Sequence, residues 1–321
     1  GYKALCTANL PEPTIKKGGD HFNAKAYTGT GASHAITGLG FSPDLVWTKG
    51  RENNSRNNSV FDTVRGANAE LITNGTSAEA TGDVQLVKSF DTDGFTLGTN
   101  AGLNNNSETY VAWSWDGGSS TVTNDTGSVD SQVRANASAG FSIVTFSGSG
   151  NRTIGHGLGV APEVILMKGR NVTDQWTMGH HKLDASNPWH KGIPINTDAS
   201  TQDNDTFWND TAPTSAVFSK GTWNDGYNMV AYCFAGVEGY SKFGSFTGNG
   251  NASGTFIYLG FKPAFFMWKV INETGSWGLI DSDRDPYNVA GKQLWPHTDG
   301  QEASYTICDF FSNGVKMRNT Y

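Results

Sequence analysis

Four tryptophans in polar, loop-like sequence are the residues of this chain best suited to bind a ligand. They stand beside Asn, Asp, His, Pro or Gly, at Trp189, Trp208, Trp223 and Trp295. An exposed indole offers a flat apolar face on which a sugar ring can stack, and neighbouring amides and carboxylates can hold the hydroxyls. Those neighbours are Asn187, Asn209, Asp210, Asn224 and Asp225. The preferred interpretation is that these rings plug the ends of β-sandwiches, and the alternatives are a glycan-binding surface and a protein interface. If the protein binds a glycan, the contact is expected to use at least one of the four rings.

Carboxylates at alternate positions suggest a calcium ion. Asp281, Asp283 and Asp285 have the spacing that opens a calcium-binding loop. Pro286, however, stands where an EF-hand needs Gly, and Lys292 stands where it needs a bidentate Glu. An EF-hand is therefore excluded. A solvated acidic loop is the preferred interpretation, and a looser Ca²⁺ site at these three residues is the alternative.

The sequence lacks the common catalytic motifs. It has no Gly-x-Ser-x-Gly elbow, no phosphate-binding loop and no His-Glu-x-x-His helix. His180, His181 and His190 lie in a polar segment without a carboxylate or thiol at a familiar ligand spacing, so we expect no metal there. Paired carboxylates for glycoside cleavage depend on a separation in space that sequence does not give. We expect a protein that is not an enzyme and has no cofactor.

The composition excludes several classes of partner. Lys and Arg number 23 against 30 Asp and Glu, for a net charge of −7, and no Lys/Arg run is present. Phosphate binding needs clustered cations, so nucleic acid is not an expected partner. No apolar stretch reaches the length of a membrane span, so we expect no membrane insertion. Cys6, Cys233 and Cys308 are too scattered for a disulfide framework and are expected to be reduced and buried.

One sequence template occurs three times and organises most of the chain. It runs aromatic-x-Gly-x-Gly, then Leu-Gly-apolar-x-Pro, then a short apolar run that ends in Lys. The copies occupy residues 27–49, 146–168 and 246–269. A further apolar segment, residues 110–115, matches residues 229–234 and predicts a strand that closes the unit. Two pairs are typical of hairpin turns: Asp93-Gly94 and Asn313-Gly314.

The aligned templates place a proline before each apolar run and a lysine at its end. Proline can fix the entry to a strand where no ladder donor is needed. Lysine can bury its stem while its ammonium reaches solvent or a carboxylate. We expect equivalent strand entries at Pro43, Pro162 and Pro263, and equivalent strand exits at Lys49, Lys168 and Lys269.

Short strands without amphipathic helices predict an all-β protein. Apolar residues alternate with small polar ones or run nearly continuously, and Gly, Asn and Thr interrupt every helical pattern. About 100 residues for each copy suits a β-sandwich. We expect three tandem, jelly-roll-like β-sandwiches: the first repeat (21–118), the second (119–238) and the third (239–321), which lacks its last strand in this sequence. Residues 1–20 are interpreted as the exit segment of a missing upstream domain and a linker.

The repeated units resemble a known family. The motifs Gly-Leu-Gly-Phe-x-Pro-Asp-Leu-Val-Trp-x-Lys, Ser-Phe-Asp-Thr-Asp-Gly-Phe-Thr-Leu-Gly and Val-Ala-Trp-Ser-Trp resemble tail-fibre-like virion proteins of tailed, often marine, bacteriophages. The resemblance runs from about Tyr27 to the end of the chain. The opening Gly-Tyr-Lys-Ala-Leu-Cys-Thr-Ala-Asn-Leu-Pro resembles the exit of a SPRY-type domain that often precedes such repeats. No catalytic residue is carried over from the family.

The resemblance implies a structural or host-attachment protein of the virion, extracellular when mature. Its expected partners are other virion proteins and a glycan or protein of the host surface. A homo-oligomer is also expected, with a trimer favoured, because the resembling fibres are commonly trimeric. Two alternatives are a polysaccharide-degrading tail enzyme and an architectural spacer or capsid decoration protein without a ligand.

Overall fold

Short β-branched and aromatic runs, separated by Gly, Asn and Pro, form strands throughout the protein. A computed structural model describes residues 13–320. Every ladder between two of its strands is antiparallel. Among these residues no helix has the length and apolar character needed to cross a membrane. The predicted all-β fold is confirmed, whereas the division at residues 21, 119 and 239 stays a prediction.

The first repeat forms two facing sheets. Its strands are β1 (Phe22–Thr28), β2 (His34–Thr37), β3 (Leu45–Gly50), β4 (Asn58–Asp62), β5 (Gly66–Ile72), β6 (Val87–Asp91), β7 (Gly94–Leu97) and β8 (Thr109–Trp115), with the short helix α1 (Ala101–Asn104) before β8. One sheet has the order β1-β8-β3-β4-β5 and the other β2-β7-β6. Val46, Phe61, Phe95 and Tyr110 are buried in one cluster, to which both sheets contribute.

The second repeat has a similar plan, but its large sheet has two extra strands at one edge and one fewer at the other. Its strands are β9 (Thr121–Asn124), β10 (Ser131–Asn136), β11 (Phe141–Ser147), β12 (Arg152–Gly155), β13 (Val164–Gly169), β14 (Thr177–His180), β15 (Lys191–Gly192), β16 (Gln202–Asp203), β17 (Val217–Lys220) and β18 (Asn228–Phe234). The large sheet has the order β14-β13-β18-β11-β10-β9, and β12 pairs with β17. β18 is therefore the counterpart of β8.

The third repeat is the smallest. Its strands are β19 (Phe256–Tyr258), β20 (Phe265–Trp268), β21 (Gly278–Asp281), β22 (Ala290–Gln293), β23 (Ala303–Phe311) and β24 (Gly314–Met317). They form the sheets β19-β24-β23-β22 and β20-β21. β3 and β13 each pair with a closing strand, β8 or β18, but β20 pairs only with β21 among residues 13–320. The expectation for the N-terminal exit segment falls mainly on residues 1–12, which lie outside the described residues.

Turn chemistry follows the sequence. Asp93-Gly94 joins β6 to β7, and Asn313-Gly314 joins β23 to β24, as expected. Glycine is required at the first of these turns because Gly94 has φ 155°, and a Cβ there would lie 1.8 Å from the carbonyl oxygen of Ile36.

The aligned prolines and lysines occupy matching places. Each proline stands two residues before β3, β13 or β20. The expectation that the ammonium group reaches solvent or a carboxylate was wrong, however, for Lys49 and Lys168. Lys49 and Lys168 are fully buried, and their ammonium groups bind main-chain carbonyls: Lys49 donates to Asp299 O at 2.9 Å and Lys168 to Gly169 O at 2.8 Å. Burial lowers the pKa of both groups to about 8.

The large sheets of the first and second repeats and the β20-β21 sheet of the third share one central core. Side chains from all of them belong to a single buried cluster that includes Trp47 and Trp113, Leu166 and Tyr232, and Trp277 and Leu279. Partly buried Phe265 of β20 joins it, with its ring centroid 5.9 Å from that of Trp113. Each repeat therefore contacts the other two, and the three close into a ring within one chain.

Candidate functional site

Trp189 and Trp208 lie inside the second repeat. They are 3% and 0% exposed, and their rings meet edge to face with centroids 5.4 Å apart. The indole N–H of Trp208 donates to Lys191 O at 3.1 Å. Their burial in the core of this repeat fits the plug interpretation and leaves neither ring available to stack on a ligand. Both rings plug the end of the sandwich.

Trp223 is partly buried. Its ring packs against Phe207 with centroids 5.6 Å apart, and its main-chain N–H donates to Thr206 O at 3.0 Å. The adjoining turn contains Asn224 with φ 54°, a left-handed conformation that Asn tolerates. Tyr227, which is 40% exposed, donates its N–H to Asn224 O at 3.3 Å.

Two hydrogen bonds to Asp225 hold the turn that follows Trp223 in place. Asp225 Oδ1 accepts the N–H of Gly150 at 2.6 Å and the ammonium of Lys220 at 3.3 Å. Lys220 is 1% exposed, so a buried cation fixes an exposed carboxylate. We call Trp223, Asn224, Asp225 and Tyr227 the Trp223 surface. Within five residues it carries a partly exposed indole, an exposed carboxylate and an exposed phenol, whereas Nδ2 of Asn224 is buried and lies close to Gly169.

Trp295 belongs to another part of the molecule. Its ring is 6.4 Å from that of Tyr305, and its carbonyl accepts Asn58 Nδ2 at 3.1 Å. It therefore lies at the junction between the third and first repeats, whereas Trp223 lies in the second. The four indoles therefore do not share one surface, and Trp223 and Trp295 are the two that are not fully buried.

Asp210 is engaged by a histidine. The imidazole of His190 bridges two carboxylates, with Nδ1 bonded to Asp210 and Nε2 lying 2.5 Å from Asp203. The hydrogen bond to Asp210 and the charge of Asp203 raise the pKa of His190 above its ordinary value. Asn209 and Asp210 have φ 52° and 48°, so both turn the chain. Asn187 caps this loop through its main chain, donating to Asp184 Oδ1 at 3.1 Å.

The three histidines of this region do not converge. His180 Nδ1 accepts Lys182 N at 3.0 Å, whereas His181 Nε2 lies 3.2 Å from Phe243 O. Among the described residues, 13–320, no group of three His, Cys, Asp or Glu side chains is placed to hold a metal ion. Cys233 and Cys308 are buried free thiols, and Cys6 lies outside the described part of the chain.

The three aspartates of the calcium-like loop act separately. Asp281 Oδ2 accepts Arg284 Nε at 2.7 Å and the indole N–H of Trp113 at 2.9 Å. Asp283 Oδ2 accepts Ala26 N at 2.7 Å. Asp285 Oδ2 accepts Gly291 N at 2.7 Å. Their alternate spacing therefore has a structural explanation in three different contacts, and the Ca²⁺ alternative stays a prediction.

Asp281 has a counterpart in the first repeat, at a position that lies outside the repeated sequence template. The register pairs Leu45 with Asp62 and Phe265 with Asp281. Asp62 Oδ2 lies 2.5 Å from Arg65 Nε, and all four side chains of the two Asp–Arg pairs are 0% exposed. The signal was in the sequence as Asp-x-x-Arg at the end of two aligned strands.

Each buried ion pair is completed by an aromatic donor from a different repeat. Tyr232 of the second repeat donates to Asp62 at 2.7 Å, and Trp113 of the first donates to Asp281 at 2.9 Å. Tyr232 and Trp113 are equivalent, because Leu166 pairs with Tyr232 as Trp47 pairs with Trp113.

A second set of contacts joins the same two pairs of repeats. Glu79 binds Arg65 of its own repeat at 2.9 Å and Arg170 of the second at 2.7 Å. Glu302 likewise binds Arg284 at 2.8 Å and Arg51 of the first repeat at 2.9 Å. Two of the three junctions of the ring therefore use ion pairs of the same kind.

Residues 17–321 match the family model described as Domain of unknown function (DUF7483), so the chain belongs to that family. No curated protein and no solved structure matches it.

Proposed function

We propose that this member of the DUF7483 family is a structural and host-attachment module of a bacteriophage tail fibre or surface appendage. The motif resemblance supports the virion part of this proposal. The all-β ring supports a rigid, load-tolerant role, because one shared core and the hydrogen bonds from Tyr232 and Trp113 to buried aspartates join its repeats. The attachment part rests on the Trp223 surface.

The Trp223 surface has the chemistry that a neutral carbohydrate needs. A sugar presents C–H groups on one face, which an indole and a phenol can cover, and hydroxyls at its rim, which the exposed carboxylate of Asp225 can bind. Phe207 beneath Trp223 and the bonds from Gly150 and Lys220 to Asp225 fix the surface before a ligand arrives. Less conformational entropy is then lost on binding.

The experiment is a glycan array followed by adsorption to host cells. Trp223→Ala and Tyr227→Ala are compared with Tyr287→Ala, a control at an aromatic residue that is 82% exposed in the third repeat. Loss of a stacking ring should weaken binding by about 1–3 kcal/mol, whereas the control should bind as the unaltered protein does. Unchanged binding by both Trp223 and Tyr227 variants would overturn the assignment of this surface.

The alternatives have separate signatures. An architectural spacer would bind no glycan on the array and would leave adsorption unaffected by Trp223→Ala. A polysaccharide-degrading enzyme would release oligosaccharides from host polysaccharide. His190 between Asp203 and Asp210 is the group to alter in that case, and His190→Ala should then abolish release without reducing binding.

A further inference from the structure

A groove of about 1830 Å³ runs along β20 of the third repeat. Phe265 and Met267 of β20 line it from one side, and Leu166 and Met178 of the second repeat line it from another. In the first two repeats the matching edge of β3 or β13 is covered by β8 or β18. An open strand edge beside apolar side chains is a site for one more strand.

Residues 2–7 of this chain have the sequence of a closing strand. They read Tyr-Lys-Ala-Leu-Cys-Thr, beside Tyr-Val-Ala-Trp-Ser-Trp in β8 and Met-Val-Ala-Tyr-Cys-Phe in β18. Aromatic or Met, then Ala, then a large residue, then Ser or Cys recur at the same positions. The segment departs from the pattern at Lys3, which stands where Val111 and Val230 are buried.

The chain order also suits this role. β8 precedes the second repeat, and β18 precedes the third. Residues 2–7 precede β1 in the same way, and the repeat that comes before the first in the ring is the third. Trp113 of the first repeat already contacts Asp281 of the third, as Tyr232 of the second contacts Asp62 of the first.

The described chain starts at the rim of the groove. A Cβ on Gly239 would lie 3.2 Å from Cβ of Pro13, and a Cβ on Gly18 would lie 3.2 Å from the ring of Tyr240. Gly18, Gly239 and Tyr240 all line the groove. The six residues from Thr7 to Pro13 can span roughly 20 Å when extended, which is ample for entry.

At one position the residues that line the groove suit an apolar side chain of the added strand. In the register, Val164 pairs with His180 where Leu45 pairs with Asp62, so His180 and Leu183 replace the Asp–Arg pair of the other two repeats. Both residues line the groove. Burial lowers the pKa of His180 to about 4, so its ring is uncharged at neutral pH. The residue matching Trp113 and Tyr232 is Leu5, which needs no acceptor.

We propose that residues 2–7 of this chain add to β20 as the closing strand of the third repeat and so complete the ring. Because Val46 pairs with Ser114 and Trp47 with Trp113, the expected register sets Cys6 opposite Phe266 and Leu5 opposite Met267. The occupant is thus a segment of the same chain, and the inference stands independently of glycan binding.

The test is a disulfide to the native thiol of Cys6. Directly opposed residues on antiparallel strands have the Cα separation that a disulfide requires. Phe266→Cys in the full-length chain should form, on mild oxidation, a bond to Cys6 within one chain. Met267→Cys is the matched control, since it faces the other side of the strand. Phe266→Cys combined with Cys6→Ser should form none.

Peptide mass mapping and non-reducing electrophoresis give distinct outcomes. A bond from Cys6 to position 266 in a monomer supports the proposal. The same bond in a covalent dimer overturns it in favour of a second copy, and free thiols at both positions overturn it outright.

A second measurement covers failure of the cysteine variant to fold. Leu5→Asp in the full-length chain should remove hydrogen-exchange protection from β20, because it places a charge against His180 and Leu183. Asn9→Asp adds the same charge outside the strand pattern and should leave β20 protected. Equal protection in the two variants would overturn the proposal.

Discussion

The phenol of Tyr232 donates to Oδ2 of Asp62 over 2.7 Å, and this bond joins two repeats of one chain. Asp62 is at the same time paired with Arg65, and both of these side chains are fully buried. A buried ion pair is costly unless its remaining hydrogen-bonding groups are satisfied. Docking of the second repeat therefore completes a polar network that the first repeat cannot satisfy alone.

Breaking either Asp–Arg pair should strongly destabilise the protein. Arg65→Met and Arg284→Met each leave a buried aspartate without its partner, so the free energy of unfolding should fall by about 3–5 kcal/mol. Leu183→Met, at the matching position of the second repeat, should cost less than about 1.5 kcal/mol. Urea denaturation of the three variants checks this. Equal losses in all three would show that the ion pairs carry no special weight.

Removing one hydroxyl should test the contact between repeats by itself. Tyr232→Phe leaves the buried Asp62 short of one donor, so we expect a loss of about 1–3 kcal/mol in the free energy of unfolding. Tyr227→Phe, at an exposed phenol, is the control and should change stability by less than about 0.5 kcal/mol. Thermal denaturation followed by circular dichroism gives both values, and a neutral Tyr232→Phe would contradict the prediction.

The plugging tryptophans should differ from Trp223 in their effect on stability. Trp189→Ala and Trp208→Ala each open a cavity in the core of the second repeat and should cost about 3–5 kcal/mol. Trp223→Ala removes a partly exposed ring and should cost less. Parallel urea titrations measure the difference. If Trp189→Ala proved nearly neutral, its ring would not be the plug that its 3% exposure indicates.

Acid should weaken the second repeat through His156. This residue is 0% exposed, its Nδ1 accepts Leu158 N at 3.2 Å, and its Nε2 therefore donates to Thr214 O at 3.1 Å. Burial lowers the pKa of this neutral imidazole below its ordinary 6.5. The folded state then binds fewer protons than the unfolded one, so this contribution is complete above pH 6.5 and is lost as the pH falls below it.

The prediction for His156 is checked by comparing how the free energy of unfolding changes with pH in the unaltered protein and in a variant. His156→Gln should show a smaller loss of unfolding free energy between pH 7.5 and pH 5 than the unaltered protein. The comparison with a variant is needed because Asp44, whose pKa burial raises to about 6, acts in the opposite direction over part of this range. Identical slopes would contradict the assignment.

Local chemistry explains which features the sequence could predict. The all-β fold follows from strand periods and turn pairs such as Asp93-Gly94, whose requirements lie within a few residues. The sequence around Trp189 and Trp208 favours a buried plug but leaves an exposed surface open, because their polar neighbours are exposed while the rings are buried. The Asp-x-x-Arg pattern is visible in the sequence, but the contacts that complete each pair come from Tyr232 and Trp113, which are distant in sequence.

The environment of two lysines likewise differs from what the local sequence predicts. Lys49 and Lys168 end apolar runs, a position typical of a side chain that reaches water. Their ammonium groups instead bind carbonyls of neighbouring loops, including that of Asp299 in another repeat. The packing of the ring supplies one acceptor of Lys49, whereas both acceptors of Lys168 lie in its own repeat.

The ring formed by one chain changes how substitutions act. In a trimer of identical subunits, one codon change alters all three interfaces at once, so a defect is tripled. Here Asp62, His180 and Asp281 stand at the same register position, yet each is encoded separately. One interface can therefore exchange an ion pair for an apolar contact while the others keep theirs, and the three can diverge toward different tasks.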